Sequence, residues 1–119
     1  MIDRPKTILC DIDGVLFEHC GDITKQHLVE PKLLPGVIEQ IKKWDIKGYK
    51  IILVTGRRES VRKETEVQLS KAGILYDQLV MGVTGGVRVL INDRKPNGTD
   101  DTAVSVNVIR NCGLEEVDI

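Results

Sequence analysis

The feature that most constrains the fold is an apolar stretch from Tyr49 to Thr55, which stands between two glycines. It reads Tyr-Lys-Ile-Ile-Leu-Val-Thr. A strand with so few polar residues must be covered on both faces, which is typical of a parallel sheet between layers of helices. Aromatic residues make up only 3% of the chain, so the hydrophobic residues are mostly aliphatic. This composition favours a parallel sheet over a β-sandwich or a disordered segment.

Short apolar runs alternate with helical patterns along the chain. The runs predict β-strands at residues 7–10, 49–55, 79–81, 87–91 and 103–107. One helix is predicted after Pro35 and Gly36, and a second begins near Ser60 and ends at Gly73. This alternation predicts right-handed βαβ units, and therefore an α/β fold with a Rossmann-like, doubly wound parallel sheet in three α/β/α layers. From the length we expect one domain over residues 1–119.

Charge, hydropathy and cysteine content exclude several classes of function. Lysine and arginine number 17 against 18 acidic residues, so there is no basic field and we expect no nucleic-acid partner. No apolar run approaches the roughly 20 residues of a membrane span, and the first residues do not resemble a signal peptide, so no membrane partner is expected. The three cysteines form no CxxC pair, which favours a reducing compartment and a cytoplasmic location.

Polar residues stand directly after three of the apolar runs. Asp11 and Asp13 come after the first run, residues 55–57 end the second, and Asn92 and Asp93 come after the run at 87–91. Ligands of open α/β sheets bind beyond the carboxyl ends of the strands. We therefore expect these residues to form one site.

The two aspartates suit the chemistry of phosphate-ester hydrolysis. A carboxylate at Asp11 could attack phosphorus and form an aspartyl-phosphate, while Asp13 could protonate the leaving oxygen and later activate water. The alternatives are a plain turn or a calcium-binding loop. The calcium loop is excluded because it needs glycine at its sixth position, where Leu16 stands.

The other two sets suit phosphate and metal binding. Thr55, Gly56 and Arg57 offer a hydroxyl and backbone N–H groups near the start of a helix, which is a suitable cradle for phosphate. Asp93 offers a hard oxygen ligand for Mg²⁺. Taken alone, a strand-to-helix turn accounts equally well for the first set, and an Asx turn for Asn92 and Asp93.

Together these motifs resemble those of the haloacid dehalogenase (HAD) superfamily, over essentially the whole chain. The matching segments are Asp11-Ile12-Asp13-Gly14, Thr55-Gly56-Arg57 and Ile91-Asn92-Asp93. The stretch Tyr76-Asp77-Gln78-Leu79 is also similar to one in the small phosphatases grouped with capsule biosynthesis proteins. The resemblance implies Asp11 as nucleophile, Asp13 as general acid/base and Thr55 as a phosphate-binding hydroxyl. It also implies a Mg²⁺ ion held by Asp11, by Asp13 through its backbone carbonyl, and by Asp93.

The sequence departs from the capsule-type pattern in two ways. Those proteins carry a lysine in a Gly-Lys-Pro stretch, whereas residues 82–86 read Gly-Val-Thr-Gly-Gly here, and Asn92 stands where a second acid is expected. Fast turnover needs a second cation near the phosphate, because one Mg²⁺ does not offset three carboxylates. We expect Arg88 to supply it, with Lys95 next and Arg94 as a further alternative. Together with Thr55, Gly56 and Arg57, Arg88 and Lys95 are the expected phosphate-binding residues.

The intervals between the motifs are too short for a cap domain, so we expect a capless member. An open mouth leaves the reacting phosphate in water, which leads us to expect a homo-oligomer in which a neighbour shields the loop at residues 19–22.

Three functional hypotheses follow. The first is a HAD-type phosphatase, a Mg²⁺-dependent phosphomonoesterase acting through an aspartyl-phosphate on a small phosphorylated substrate such as a sugar phosphate. The second is a catalytically weak HAD domain that binds phosphate compounds. The third is a nucleic-acid 3′-phosphatase, since capless members resembling polynucleotide kinase-phosphatase carry a motif like Asn92-Asp93-Arg94. The charge balance counts against the third hypothesis.

Overall fold

The computed structural model describes residues 4–119. Three strands alternate with two helices: β1 (Thr7–Asp11), α1 (Val37–Ile46), β2 (Lys50–Val54), α2 (Arg62–Ala72) and β3 (Gln78–Val80). Short 3₁₀ helices at Ile23–Leu28 and Glu59–Val61 precede the two α-helices. The order of elements up to β3 follows the sequence prediction, with boundaries that differ by one or two residues.

The sheet is parallel and has the order β1-β2-β3. Asp11 pairs in register with Val54, and Val54 pairs with Val80, so the carboxyl ends of the three strands lie side by side. The α/β class and the parallel sheet are thereby confirmed. The described chain has no cap over this edge, which agrees with the intervals between the motifs.

Burial alternates along the strands because the hydrophobic core lies on one face of the sheet. The core side chains of the sheet are Ile8, Cys10, Ile51, Leu53 and Leu79. On the other face Leu9 is 53% exposed, and Ile52 and Val54 are only partly buried. The expectation that β2 is fully buried on both faces is therefore wrong for the described structure. Its apolar composition does not reveal that the core forms on one side.

Helix α1 packs against the C-terminal segment of the chain. Gly36 adopts a left-handed conformation at its start (φ 76°), where a Cβ would lie 2.6 Å from the Glu115 backbone nitrogen. Gln40 Nε2 donates to the carbonyl oxygens of Leu114 (3.0 Å) and Val117 (2.6 Å). The C-terminal segment thus packs on α1, and Leu114 joins the core.

The predicted strands at 87–91 and 103–107 are wrong. Val87 and Ile91 are 95% and 91% exposed, and β1 pairs only with β2 among the described residues. A run of β-branched residues becomes a strand only through hydrogen bonds and side-chain contacts with a neighbour. Among the described residues after β3, the only β-type pairing is an isolated antiparallel bridge between Arg94 and Asp101.

Neither α-helix, nor any other helix in residues 4–119, combines the length and the apolar character needed to cross a bilayer.

The three thiols should differ sharply in reactivity. Cys10 lies on the buried face of β1, and burial, followed by the charge of Asp11, raises the pKa of its thiol to about 12, whereas Cys20 and Cys112 are exposed. Because the thiolate is the reactive species, we expect a thiol reagent at pH 8 to modify two groups in the native protein and the third only in denaturant. A colorimetric thiol titration measures this. Cys10→Ala should leave the native count unchanged, and rapid modification of all three native thiols would contradict the packing described.

Candidate active site

Asp11 presents its carboxylate at the carboxyl end of β1. The side chain is 36% exposed, and its Oδ1 accepts a hydrogen bond of 2.9 Å from the Ile12 backbone nitrogen. Ile12 itself is completely buried and anchors the strand end. The Asp11 carboxylate is thus oriented by a backbone hydrogen bond and is still accessible to solvent.

A tight turn follows and directs the second aspartate inward. The Ile12 carbonyl accepts hydrogen bonds from the backbone nitrogens of Leu16 (2.8 Å) and Phe17 (3.1 Å), and both of these side chains are buried. Gly14 has a φ of 90°, which an L side chain rarely adopts. The two carboxylates therefore face different surroundings, as the extended spacing predicts: Asp11 faces the mouth of the site, and Asp13 faces the interior.

Asp13 and Arg57 form a buried, bidentate ion pair. Arg57 Nε donates to Asp13 Oδ2 at 2.9 Å, and Nη2 donates to Oδ1 at 2.8 Å. The Arg57 side chain is 0% exposed and the Asp13 side chain 3%. Arg57 was predicted to bind substrate phosphate, but its guanidinium lies in the interior and is used by Asp13. Bidentate pairing of this kind fixes the orientation of both groups.

The remaining Arg57 nitrogen is satisfied by helix α2. Nη1 donates to Thr65 Oγ1 at 3.0 Å and also to Gln68 Oε1. Both residues are buried. No sequence pattern points to either residue, because a threonine at helical spacing is compatible with an apolar helix face and a buried glutamine carries no motif.

Gln68 extends this polar network to the segment after the turn at residues 12–17. Its Nε2 donates to the carbonyl oxygens of Gln26 (3.3 Å) and Val29 (3.0 Å). Gln26, itself completely buried, donates to the Glu18 carbonyl and accepts from the Cys20 nitrogen, each at 3.0 Å. The position of Asp13 is thus connected through Arg57 to the loop at residues 18–29.

Gln68→Leu should destabilise the protein measurably. The leucine removes an acceptor from Arg57 and leaves the carbonyl groups of Gln26, which is buried, and Val29, which is partly buried, without their donor, which costs about 1–3 kcal/mol. Urea unfolding followed by the fluorescence of Trp44, the only tryptophan, gives the free energy. Lys63→Leu, an exposed position of the same helix, serves as the control. Equal stability of the two variants would show that the network contributes nothing.

Thr55 and Gly56 are tied to the chain that follows β3. Thr55 is fully buried, its Oγ1 accepts from the Arg57 nitrogen at 3.2 Å, and its carbonyl accepts from the Val83 nitrogen at 2.9 Å. A Cβ on Gly56 would lie 3.2 Å from the Val83 carbonyl oxygen. The Thr55 hydroxyl therefore braces the turn, and glycine at 56 permits the close approach of the two backbones.

Of the expected cations, Arg88 lies beside Asp11 and Lys95 does not. Arg88 Nη1 is 3.4 Å from Asp11 Oδ1. Lys95 belongs to an exposed turn in which its backbone nitrogen donates to the Asp100 carbonyl at 3.1 Å. The only cation that forms an ion pair with Asp11 in the described chain is thus Arg88.

The structure does not bring Asp93 together with the first two aspartates. Asp93 is exposed, and its carbonyl accepts from the Thr102 hydroxyl. Within residues 4–119, no three histidine, cysteine, aspartate or glutamate side chains cluster in a way that could hold a metal ion. At the carboxyl edge itself, the available hard oxygens are the Asp11 carboxylate and the Asp13 backbone carbonyl, which accepts no hydrogen bond from the described residues.

Comparison with known proteins identifies the family. The family model for the phosphatase domain of polynucleotide kinase PNKP matches residues 5–95, a stretch that includes all three motifs. The chain belongs to the PNKP phosphatase family. Its membership of the HAD superfamily, and with it the expectation of a HAD-type phosphatase, is confirmed. No curated protein is similar enough to count as a relative.

Solved structures agree with this family. Two structures of a Pnkp1/Rnl/Hen1 complex, one described as an RNA repair complex, are 34% and 35% identical over 71% of this chain, each with a TM-score of 0.59. The chain spans only 30% and 28% of those chains. A structural-genomics target from Vibrio cholerae is 21% identical, with a TM-score of 0.56 over 73% of this chain and 79% of its own. That likeness shows the fold alone.

The expectation of a small-molecule substrate with no nucleic-acid partner is wrong. The matched family is that of a polynucleotide kinase, and a solved relative comes from an RNA repair complex. The error lies in the use of net charge, which averages over the whole surface. The end of a nucleic-acid strand contacts only a few residues of a protein. A few cations at that position are therefore enough for binding, whatever the net charge of the whole protein.

Proposed function

We propose that this chain removes a terminal 3′-phosphate from a nucleic-acid strand, with Asp11 as nucleophile and Mg²⁺ as cofactor. The match of the PNKP phosphatase family to residues 5–95 carries this proposal. The accessible Asp11 carboxylate at the end of a parallel strand supplies the geometry that the reaction needs.

The openness of the site supports a polymer end as substrate. Sites for small molecules are usually concave and bury most of the ligand. One groove of about 490 Å³ lies between residues 27–31 and α2, and another of about 200 Å³ lies within residues 90–103. Neither contains Asp11 or Asp13. A partly exposed nucleophile in an open site suits the end of a nucleic-acid strand that extends into solvent.

The residues at the mouth fit a magnesium ion. Mg²⁺ is held by one or two carboxylates together with substrate phosphate and water, and the Asp11 carboxylate and free Asp13 carbonyl are oxygens of the kind it prefers. We propose Asp93 as a further ligand, a role that requires its exposed loop to approach Asp11. When bound, the ion neutralises charge on the phosphoryl oxygens.

In the proposed reaction Asp11 attacks phosphorus and the bond to the strand's 3′ oxygen breaks, leaving an aspartyl-phosphate. Arg88, 3.4 Å from Asp11, neutralises the charge that develops on the phosphoryl oxygens. We propose Lys95 as an additional phosphate-binding residue. Thr55, Gly56 and Arg57 hold the turn that borders the phosphate.

Asp13 is the proposed general acid/base. It gives a proton to the 3′ oxygen as it leaves and takes one from the water that hydrolyses the aspartyl-phosphate. Arg57 occupies one lone-pair position on each Asp13 oxygen, and each oxygen has a second position free for that proton. The role of Arg57 is therefore to position the acid.

A substrate panel tests the proposed function. We expect a 3′-phosphorylated oligonucleotide to be dephosphorylated with a kcat/KM at least tenfold above that for any sugar phosphate, and EDTA to abolish turnover until Mg²⁺ is restored. The 5′-phosphorylated strand of the same sequence is the matched control. Preferential turnover of sugar phosphates would overturn the proposal, and binding of the oligonucleotide without turnover would identify a weak, phosphate-binding domain.

We also propose a cytoplasmic location. The exposed thiols of Cys20 and Cys112 are free, and Cys10 is buried without a partner. Free exposed thiols persist best in a reducing compartment.

A further inference from the structure

Asn111, in the C-terminal segment, contacts the turn at residues 12–17. Its backbone nitrogen donates to the Gly14 carbonyl at 2.8 Å, and its Oδ1 accepts from the His19 backbone nitrogen at 2.8 Å. Asn111 is also the only residue other than glycine in the described chain with a positive φ, 65°. Such a conformation persists where the surrounding contacts hold it, and such positions cluster at functional sites.

Arg110, the residue before Asn111, lies against Gly14. A Cβ on Gly14 would lie 3.2 Å from Arg110 Cγ and 3.8 Å from Arg110 Nε, and 3.8 Å from the Cβ of His19. The arginine therefore lies next to the position that a side chain on residue 14 would occupy. Arg110 thus lies against the turn at residues 12–17.

The described part of the chain places no acidic partner beside Arg110. Arg57, Arg62, Arg88 and Arg94 form ion pairs, whereas Arg4, Arg58 and Arg110 have no acidic side chain within 4 Å among residues 4–119. Arg110 is exposed as well. An exposed guanidinium that lies beside this turn and has no acidic partner among the described residues is available to an anionic ligand.

We propose that Arg110 binds the phosphodiester next to the terminal phosphate of a polynucleotide substrate. This rests on the proposed function and extends it. Arg88 already lies at Asp11, where the reacting phosphate must be, whereas Arg110 lies over Gly14, three residues further along the chain. A simple phosphate monoester has no second phosphate to occupy that position. Arg110 thus distinguishes a nucleic-acid strand from a small phosphate ester.

Steady-state kinetics with two substrates tests the proposal. For Arg110→Ala we expect the KM of a 3′-phosphorylated oligonucleotide to rise roughly tenfold, as for loss of one phosphate contact, with kcat within about a factor of two. The constants for p-nitrophenyl phosphate should not change. The slope of log affinity against log salt should become shallower by about 0.7, the value for one phosphate of a single strand. Arg110→Lys should restore part of the affinity. Lys42→Ala, an exposed cation of α1, loses the same charge and should have no effect.

Direct binding separates this proposal from the proposed function. Fluorescence anisotropy with the same oligonucleotide and the Asp11→Asn protein, with and without Arg110→Ala, needs no turnover. Arg110-dependent binding supports the proposal even if the wild-type protein fails to hydrolyse the strand, in which case only the proposed function falls. Hydrolysis of the strand with unchanged KM in Arg110→Ala overturns the proposal alone, and absence of binding overturns both. An equal rise in KM for both substrates would show a distorted site and also count against the proposal; circular dichroism checks the fold.

Discussion

Asp11→Asn should abolish phosphate-ester turnover and leave the protein folded. An amide cannot attack phosphorus, so the proposed aspartyl-phosphate does not form. The asparagine oxygen can still accept the hydrogen bond from the Ile12 nitrogen, which keeps the end of β1 in place. The ion pair with Arg88 is lost, but it is partly exposed and contributes little to stability.

Two measurements check this prediction. Turnover of p-nitrophenyl phosphate should fall far below a tenth of the wild-type rate, and the urea midpoint followed by Trp44 fluorescence should hardly move. Asp45→Asn makes the same chemical change at an exposed position of α1 and is the control. Activity above about a tenth, a barrier change of less than roughly 1.4 kcal/mol, would exclude Asp11 as the nucleophile.

Asp13→Ala should have the largest effect on stability. It leaves the buried Arg57 guanidinium without its charge partner, and breaking a buried pair in this way costs about 3–5 kcal/mol. Urea unfolding gives the change in free energy. Asp101→Ala is a matched control, because it breaks an ion pair with the same N–O distance of 2.8 Å whose side chains are 64–65% exposed. A similar loss in the two variants would contradict the burial of the Asp13–Arg57 pair.

A double variant separates the structural role of Asp13 from its proposed role in catalysis. Asp13→Leu with Arg57→Met replaces both charges by apolar side chains, and such replacements are often neutral or stabilising. We expect the double variant to recover most of the stability that Asp13→Ala loses. If it folds and remains inactive, the loss of activity is not due to unfolding; if it regains activity, Asp13 is not the acid/base.

The sequence was informative where structure depends on neighbours in the chain. Gly36 and Gly73 bound their helices in left-handed conformations, as the patterns predict. The apolar runs before Asp11 and Thr55 predict parallel strands, and the register of Asp11 with Val54 brings the two motifs to one edge. Such features follow from periodicity, capping and turn preferences, each encoded within a few residues.

The sequence was less informative about nucleic-acid binding and about the structure of the chain after β3. Net charge excluded nucleic acid, which the family contradicts. The apolar run at 87–91 predicted a strand, yet nothing within the run specifies a neighbour with which to pair, and the described residues there are exposed.

What the sequence by itself determined was the α/β class, the order of elements as far as β3, and the carboxylates that follow β1. Tertiary structure alone decided how the charges are used. Asp13 and Arg57 are 44 positions apart, and their burial together depends on how α2 packs. His19 and Asn111 are 92 positions apart, and only the folded chain shows that Arg110 lies beside the turn at residues 12–17. The physical reason is that an ion pair or a hydrogen bond depends on distance and burial, and neither quantity is encoded in local periodicity.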